Sequence, residues 1–248
     1  MENIIEVKNL KKTYLSRGHK TEALKGISFE VKRGEIFGIL GVNGAGKSTT
    51  LSILMDLLTP TSGTIEFFGK DFRSNTEEVK SRMNIATAYA DLATNLSIYE
   101  NLTIYGLMYN VRDYKTKIAG LLKQFEITHL AGARFGELSA GQKTRVNLCK
   151  SLINDPEILL LDEPTASLDP AIAEQTRELL LDLQENHRRT IVFTSHNMPE
   201  VEELCDRVAL LDHGLIYRID TPANLVADHN APDLEEVFIK LAKGEYEE

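Results

Sequence analysis

The spacing of apolar residues changes several times along the chain, and each change predicts a different element. Ile27, Phe29 and Val31 alternate with polar residues, the period of a half-buried strand, and Arg33-Gly34 follows as a turn. Ile36, Phe37, Ile39 and Leu40 then form a short run that reads as a buried strand. From residue 47 the spacing of Leu51, Ile53 and Leu54 is helical. The breaker cluster at 59–63 precedes another short strand at 64–69. From about 76 to 152 glycine thins out and helical stretches dominate, at 99–111, 114–125 and 139–153. Strands return at 158–162, 190–195 and 207–212, with helical pattern at 171–187 between the first two. Residues 212–214 form a turn before 215–219. In the last helical segment, 233–244, Leu234, Val237, Phe238 and Leu241 share one face, as in a helix docked on a core.

Strands separated by helices predict βαβ crossovers and a parallel sheet, so the fold class is α/β. A helical block is inserted between the strand at 64–69 and the strand at 158–162. The expected division of this single domain is a core of 1–75 and 153–220, a helical lobe of 76–152 and a helical tail of 221–248.

Composition narrows the functional classes. A net charge of −9 on 248 residues argues against a general nucleic-acid binder, which needs a basic face. The N-terminal residues lack a basic stretch followed by an apolar one, so no signal peptide is expected. The longest apolar runs are a few residues, so no bilayer span is expected and any membrane role requires a partner. Cys149 and Cys205 sit far apart within helix-like pattern and read as small core residues, in keeping with a reducing compartment.

The chemistry concentrates in three stretches. The first is GVNGAGKSTT, residues 41–50. Gly41, Gly44 and Gly46 give a backbone that curls closely around a ligand, and the following helix N-terminus aims amides at one point, where an anion belongs. The spacing to Gly46-Lys47-Ser48 fits the P-loop pattern, in which Lys47 reaches the β- and γ-phosphates and the Ser48 hydroxyl binds Mg²⁺. The second is ILLLDEP, 158–164, a buried strand that emits Asp162 and Glu163 at its C-terminal end, where open α/β sheets bind ligands. Adjacent strand residues point to opposite faces, so Asp162 is expected to hold Mg²⁺ and Glu163 to orient and deprotonate a water. The third is ELSAGQ, 137–142. Ser139 and Gln142 have capping-box spacing, which on its own means a helix start. Gly141 also bares the backbone of that turn, and the Ser139 hydroxyl with the helix N-terminus suits a second anion.

The set Gly41 to Thr49, Leu138-Ser139-Ala140-Gly141-Gln142, Asp162-Glu163, Ser167-Leu168-Asp169 and His196 resembles the ATPase subunit of an ATP-binding cassette (ABC) transporter, in order and spacing from about residue 3 to 220. The resemblance implies a P-loop NTPase core with an antiparallel β subdomain and an inserted helical signature subdomain. It implies ATP and Mg²⁺ as ligands and head-to-tail pairing with a second cassette, identical or different. Each ATP would lie between the P-loop of one cassette and the signature of the other. It assigns nucleotide binding to Gly41, Asn43, Gly44, Ala45, Gly46, Lys47, Ser48 and Thr49, with Ser139, Gly141 and Gln142 serving the partner's nucleotide. Tyr14 corresponds to the aromatic that stacks on adenine, His196 to the switch histidine at the γ-phosphate, and Ser167-Leu168-Asp169 to the loop coupling the two sites. Lys47, Glu163 and His196 are the expected catalytic groups, and Ser48 and Asp162 the metal-binding ones. The segment at 234–241 resembles the tail of cassettes serving separate-chain membrane subunits of drug, lipid or polysaccharide exporters. The family resemblance as a whole implies a separate-chain transmembrane permease partner and a peripheral place on the cytoplasmic membrane face, and the acidic balance implies no nucleic-acid partner.

One stretch departs from that pattern. Where the family usually has a glutamine contacting Mg²⁺ and water, matching of 95–97 and 100–102 places Ala88. Either Tyr89 or Asp91 partly replaces it, or the site works without a substitute. Two rivals to the transporter reading are a cassette ATPase of translation or DNA repair and a nucleotide-binding regulatory module that hydrolyses little. A single uninterrupted cassette with an acidic balance speaks against the first, and intact Glu163 and His196 against the second.

Overall fold

The computed structural model describes residues 2–16, 19–87, 92–165 and 168–242. The chain begins with two long strands, β1 (Asn3–Ser16) and β2 (His19–Lys32), paired antiparallel. Strand β3 (Ile36–Leu40) leads to helix α1 (Lys47–Leu54), followed by β4 (Ser62–Phe67), β5 (Lys70–Asp71), α2 (Thr76–Ser81) and β6 (Met83–Thr87). The helical lobe holds α3 (Ile98–Met108), α4 (Tyr114–Gln124) and α5 (Ala140–Ser151). The chain then runs through β7 (Ile158–Asp162), α6 (Pro170–Glu185), β8 (Thr190–Ser195), α7 (Met198–Leu204), β9 (Arg207–Asp212) and β10 (Leu215–Asp220). It closes with α8 (Pro222–Asp228) and α9 (Leu234–Ala242).

The strands form two sheets. A four-stranded antiparallel sheet has the order β2-β1-β4-β5, and a six-stranded sheet has the order β10-β9-β3-β8-β7-β6. In the second sheet every pair from β9 to β6 is parallel, and only β10 is antiparallel. The parallel strands are buried on both sides, as crossover helices require. In β3, Phe37 and Ile39 face a core shared with α1 and the antiparallel sheet, whereas Ile36 and Leu40 face a core shared with the helical lobe and α6. Strand β7 divides in the same way, with Ile158 and Leu160 on one side and Leu159 and Leu161 on the other.

Two boundaries differ from the sequence pattern. The strand expected at 64–69 ends at Phe67, because Phe68 and Gly69 take φ of 55° and 72° in the turn to β5. The stretch read as helical from 76 contains β6, which pairs with β7 from Met83↔Ile158 to Thr87↔Asp162 and so belongs to the parallel sheet. Asn84 disguises it: this buried amide interrupts the apolar run and is satisfied by Asn154 Oδ1 at 2.7 Å. Helix α3 begins at Ile98 with a capping box between Ser97 and Glu100. In α9, Leu234, Val237 and Phe238 are buried in the core with Leu225 of α8, as the amphipathic pattern predicts, while the Leu241 side chain lies outside the description. Among the described residues no helix is long and apolar enough to cross a membrane.

Candidate functional site

The register of the parallel sheet gathers the candidate residues. Leu40 pairs with Ser195, Asp162 with Thr194, and Thr87 with Asp162, so β3, β8, β7 and β6 end along one edge. Because β8 lies between β3 and β7, His196 emerges between the loop at 41–46 and the acidic pair at 162–163. This is the C-terminal edge of a parallel sheet, the expected ligand side.

The loop at 41–46 is shaped by close backbone approaches. A Cβ on Gly41 would stand 2.3 Å from the Leu211 carbonyl oxygen, so no side chain fits there. Gly46 caps α1 with φ of 114°, and a Cβ there would meet Ala23 O at 2.9 Å and Leu24 Cδ2 at 2.8 Å. Val42, Asn43 and Gly44 are exposed, and Ala45 is buried. Lys47 is buried beneath this loop and donates to Gly41 O at 2.6 Å and Val42 O at 3.2 Å. Burial lowers its pKa, and the charges of Glu163 and Asp162 work in the opposite sense, which puts both acids in electrostatic reach of the lysine. Ser48 is exposed at the first turn of α1, next to the half-buried Thr49. Tyr14, on β1, lies beside that turn with its hydroxyl 3.5 Å from Thr49 Oγ1 and with Lys12 Nζ 5.1 Å from its ring centroid. The residue is 40% exposed.

Strand alternation does not separate the two acids. Strand β7 ends at Asp162, and Glu163 takes φ of 48°, a left-handed conformation that costs an L residue about 1–2 kcal/mol. The turn sends the side chains to different partners. Asp162 Oδ1 accepts from Thr194 Oγ1 at 2.6 Å, and Glu163 Oε1 lies 3.0 Å from His196 Nδ1. Facing a carboxylate, that ring nitrogen is the donor. Thr194 also receives the Glu163 backbone N–H, through its carbonyl at 3.1 Å and its hydroxyl at 3.2 Å. The sequence reading passed over Thr194. The signal was available: a threonine directly after the apolar run Ile191-Val192-Phe193, near the end of a buried strand, needs a polar partner.

The signature stretch stands apart. Ser139 caps α5, its Oγ accepting from Gln142 N at 3.3 Å while Gln142 Oε1 accepts from Ser139 N at 2.9 Å. Ser139, Ala140, Gly141 and Gln142 line a cavity of about 520 Å³ that also meets Leu168, Asp169 and Ile172. None of its described lining residues belongs to the loop at 41–49. A Cβ on Gly141 would come within 3.0 Å of Ile172 Cγ2. Asp169 caps α6 by accepting from Ile172 N at 3.2 Å. The structure therefore brings together Lys47, Asp162, Glu163 and His196, with Tyr14 against the same loop, and keeps Ser139, Gly141 and Gln142 in a separate cavity.

Ala88, Tyr89 and Asp91, where the family pattern departs, and Ser167 lie outside the described residues. Cys149 and Cys205 are buried, and burial raises both thiol pKa values, as core cysteines require. Among the described residues no cluster of three His, Cys, Asp or Glu side chains suits a metal.

The ABC transporter family model matches residues 24–166. The linearmycin resistance ATP-binding protein LnrL of Bacillus subtilis is 38% identical over 224 residues, covering 90% of this chain and 70% of that protein. The Nod factor export ATP-binding protein I of Paraburkholderia xenovorans is 35% identical over 243 residues, covering 96% and 77%. The dimeric ATP-binding cassette MJ0796, in a post-hydrolysis state bound to ADP and Pi, superposes with a TM-score of 0.78 at 28% identity, covering 88% of this chain and 98% of that one. With the P-loop, the acidic strand end and the capped signature helix in place, these matches establish that the chain belongs to the ABC transporter family and is its ATP-binding, ATP-hydrolysing subunit.

Proposed function

We propose that Lys47, Asp162, Glu163 and His196 carry ATP hydrolysis and that the protein powers an export permease at the cytoplasmic membrane face. The contact between Glu163 and His196 beside the phosphate-binding loop carries the reading. Phosphoryl transfer depends mainly on positioning and charge stabilisation. The amides of 41–49 and the Lys47 ammonium surround the phosphates. Glu163 aligns the attacking water and takes its proton, and His196 holds Glu163 in place and meets the γ-phosphate. Tyr14 stacks on the adenine.

The available donors, an exposed serine hydroxyl and a carboxylate, are hard oxygens that suit Mg²⁺. Ser48 and Asp162 would hold it, and it would neutralise charge on the phosphates. Ser139, Gly141 and Gln142 close on the nucleotide of a second cassette, which accounts for an anion-binding helix start in a cavity away from the chain's own P-loop.

The permease contact falls on the helical lobe. Ile104, Leu107 and Met108 of α3 are 42%, 57% and 69% exposed and share one helical face, an apolar stripe suited to a helical segment of a membrane subunit. The export assignment rests on the two relatives named above, one for linearmycin resistance and one for Nod factor export.

The test is a tagged pull-down from detergent-solubilised membranes with the wild type and with L107E/M108E. A multi-span membrane protein that co-purifies in stoichiometric amount with the wild type alone supports the reading. Recovery of only soluble partners overturns it.

A further inference from the structure

Thr194 is fully buried on β8, two residues before His196. Its hydroxyl donates to Asp162 Oδ1 at 2.6 Å and accepts the Glu163 backbone N–H at 3.2 Å. A threonine hydroxyl has one proton to give and lone pairs to receive, so this single group engages both members of the acidic pair at once. Register places it there, because Asp162 is the residue paired with Thr194 across the two strands. The neighbouring strand residues Ile191, Val192 and Phe193 need no such chemistry, and a valine would fill the same space on the same backbone.

We propose that Thr194 is a positioning residue for hydrolysis. Tying Asp162 Oδ1 fixes the carboxylate that would hold Mg²⁺, and the hydroxyl shares the Glu163 amide with the Thr194 carbonyl at 3.1 Å, which supports that residue's left-handed turn. One hydroxyl thus links the carboxylate assigned to Mg²⁺ to the backbone of the residue assigned to water. Thr194 is fully buried and acts through the two acids it bonds. The proposal rests on the roles assigned above to Asp162 and Glu163.

The test compares T194V, T194S and wild type. Outer-shell partners of metal-binding groups typically change affinity or activity about 10–100-fold. T194V is expected to lower kcat at least about tenfold and to weaken Mn²⁺ binding, read by electron paramagnetic resonance with a non-hydrolysable ATP analogue, by a similar factor. The affinity for metal-free analogue should stay within about threefold, since Lys47 and the loop are untouched, and T194S should recover most of both losses. T194A replaces T194V if the valine variant does not fold. Wild-type kcat and Mn²⁺ affinity in a folded T194V or T194A protein overturn the proposal, as does failure of T194S to recover function. D162N and E163Q are run alongside. If both keep wild-type hydrolysis, the assignment of the acids has failed. If they lose it while T194V does not, only the role of Thr194 has failed.

Discussion

His196 Nδ1 lies 3.0 Å from Glu163 Oε1, although the two residues come from different strand ends and are separated by more than thirty positions in sequence. The contact forms because β8 is the immediate neighbour of β7 and both end at the same edge. Glu163→Gln keeps the shape and removes the proposed base. General-base removal typically costs 10²–10⁴-fold, so turnover should fall at least ~10²-fold. ATP should still bind and shift the variant to a dimer on size-exclusion chromatography. Wild-type turnover would remove Glu163 from its role. His196→Ala should lose turnover as well while retaining ATP binding, measured by equilibrium dialysis.

Lys47→Met should abolish detectable ATP binding with little effect on folding. The substitution leaves the Gly41 and Val42 carbonyls without their ammonium donor. It also removes the cost of a buried cation, whose pKa burial has already lowered. The two effects oppose one another, so the net change should be about 1–2 kcal/mol, or a Tm shift of a few degrees for a chain of this size. Calorimetry with and without ATP separates the outcomes. A large ATP-dependent rise in the Tm of K47M would contradict the assigned role.

Lys150 predicts a pH signature in stability. It is buried on α5, donates to Ile85 O at 2.7 Å and lies 5.5 Å from the Tyr105 ring centroid. Desolvation lowers its pKa to about 8. Between that value and the ordinary lysine value the unfolded chain holds the proton and the folded chain does not. Stability relative to Lys150→Met should therefore rise with pH through this window, by at most about 1.4 kcal/mol per pH unit, and be flat below it. Urea unfolding of both proteins from pH 7 to 10 reads the difference. A difference that stays flat through the window would show that Lys150 titrates normally.

Ser139→Ala separates a structural role from a functional one. Loss of the α5 cap should cost about 1 kcal/mol, and Gln142→Ala should add less than its own single effect because the two residues cap reciprocally. Thermal unfolding measures this. If Ser139 also serves the partner's nucleotide, turnover should fall by more than tenfold, far beyond what so small a loss of stability explains. Unchanged turnover would reduce Ser139 to a helix cap.

Much of this molecule was legible because its signals are local. The strand at 158–162, the glycine loop and the capping box each declare themselves within a few residues, and the structure places them as read. Strand β6 was lost in the helical block because its buried Asn84 finds its partner, Asn154, seventy residues away. The separation of Asp162 from Glu163 was expected from strand alternation but arises from a left-handed turn, a backbone state that the identity of a glutamate does not announce. Thr194 acquires meaning only from its register opposite Asp162. What the sequence concealed was pairing across the sheet.

The distance between loop and signature has a genetic consequence. On the proposed reading, a subunit whose cavity around Ser139 includes no described residue of its own phosphate loop would carry two unlike half-sites. If each half is completed by a second copy, two inactive alleles should complement when mixed. A K47M subunit keeps a sound signature, and an S139A subunit keeps a sound loop, so their heterodimer retains one intact composite site while each homodimer has none. A K47M/S139A double variant, by contrast, damages both sites of any dimer it joins and should behave as a dominant poison toward the wild type.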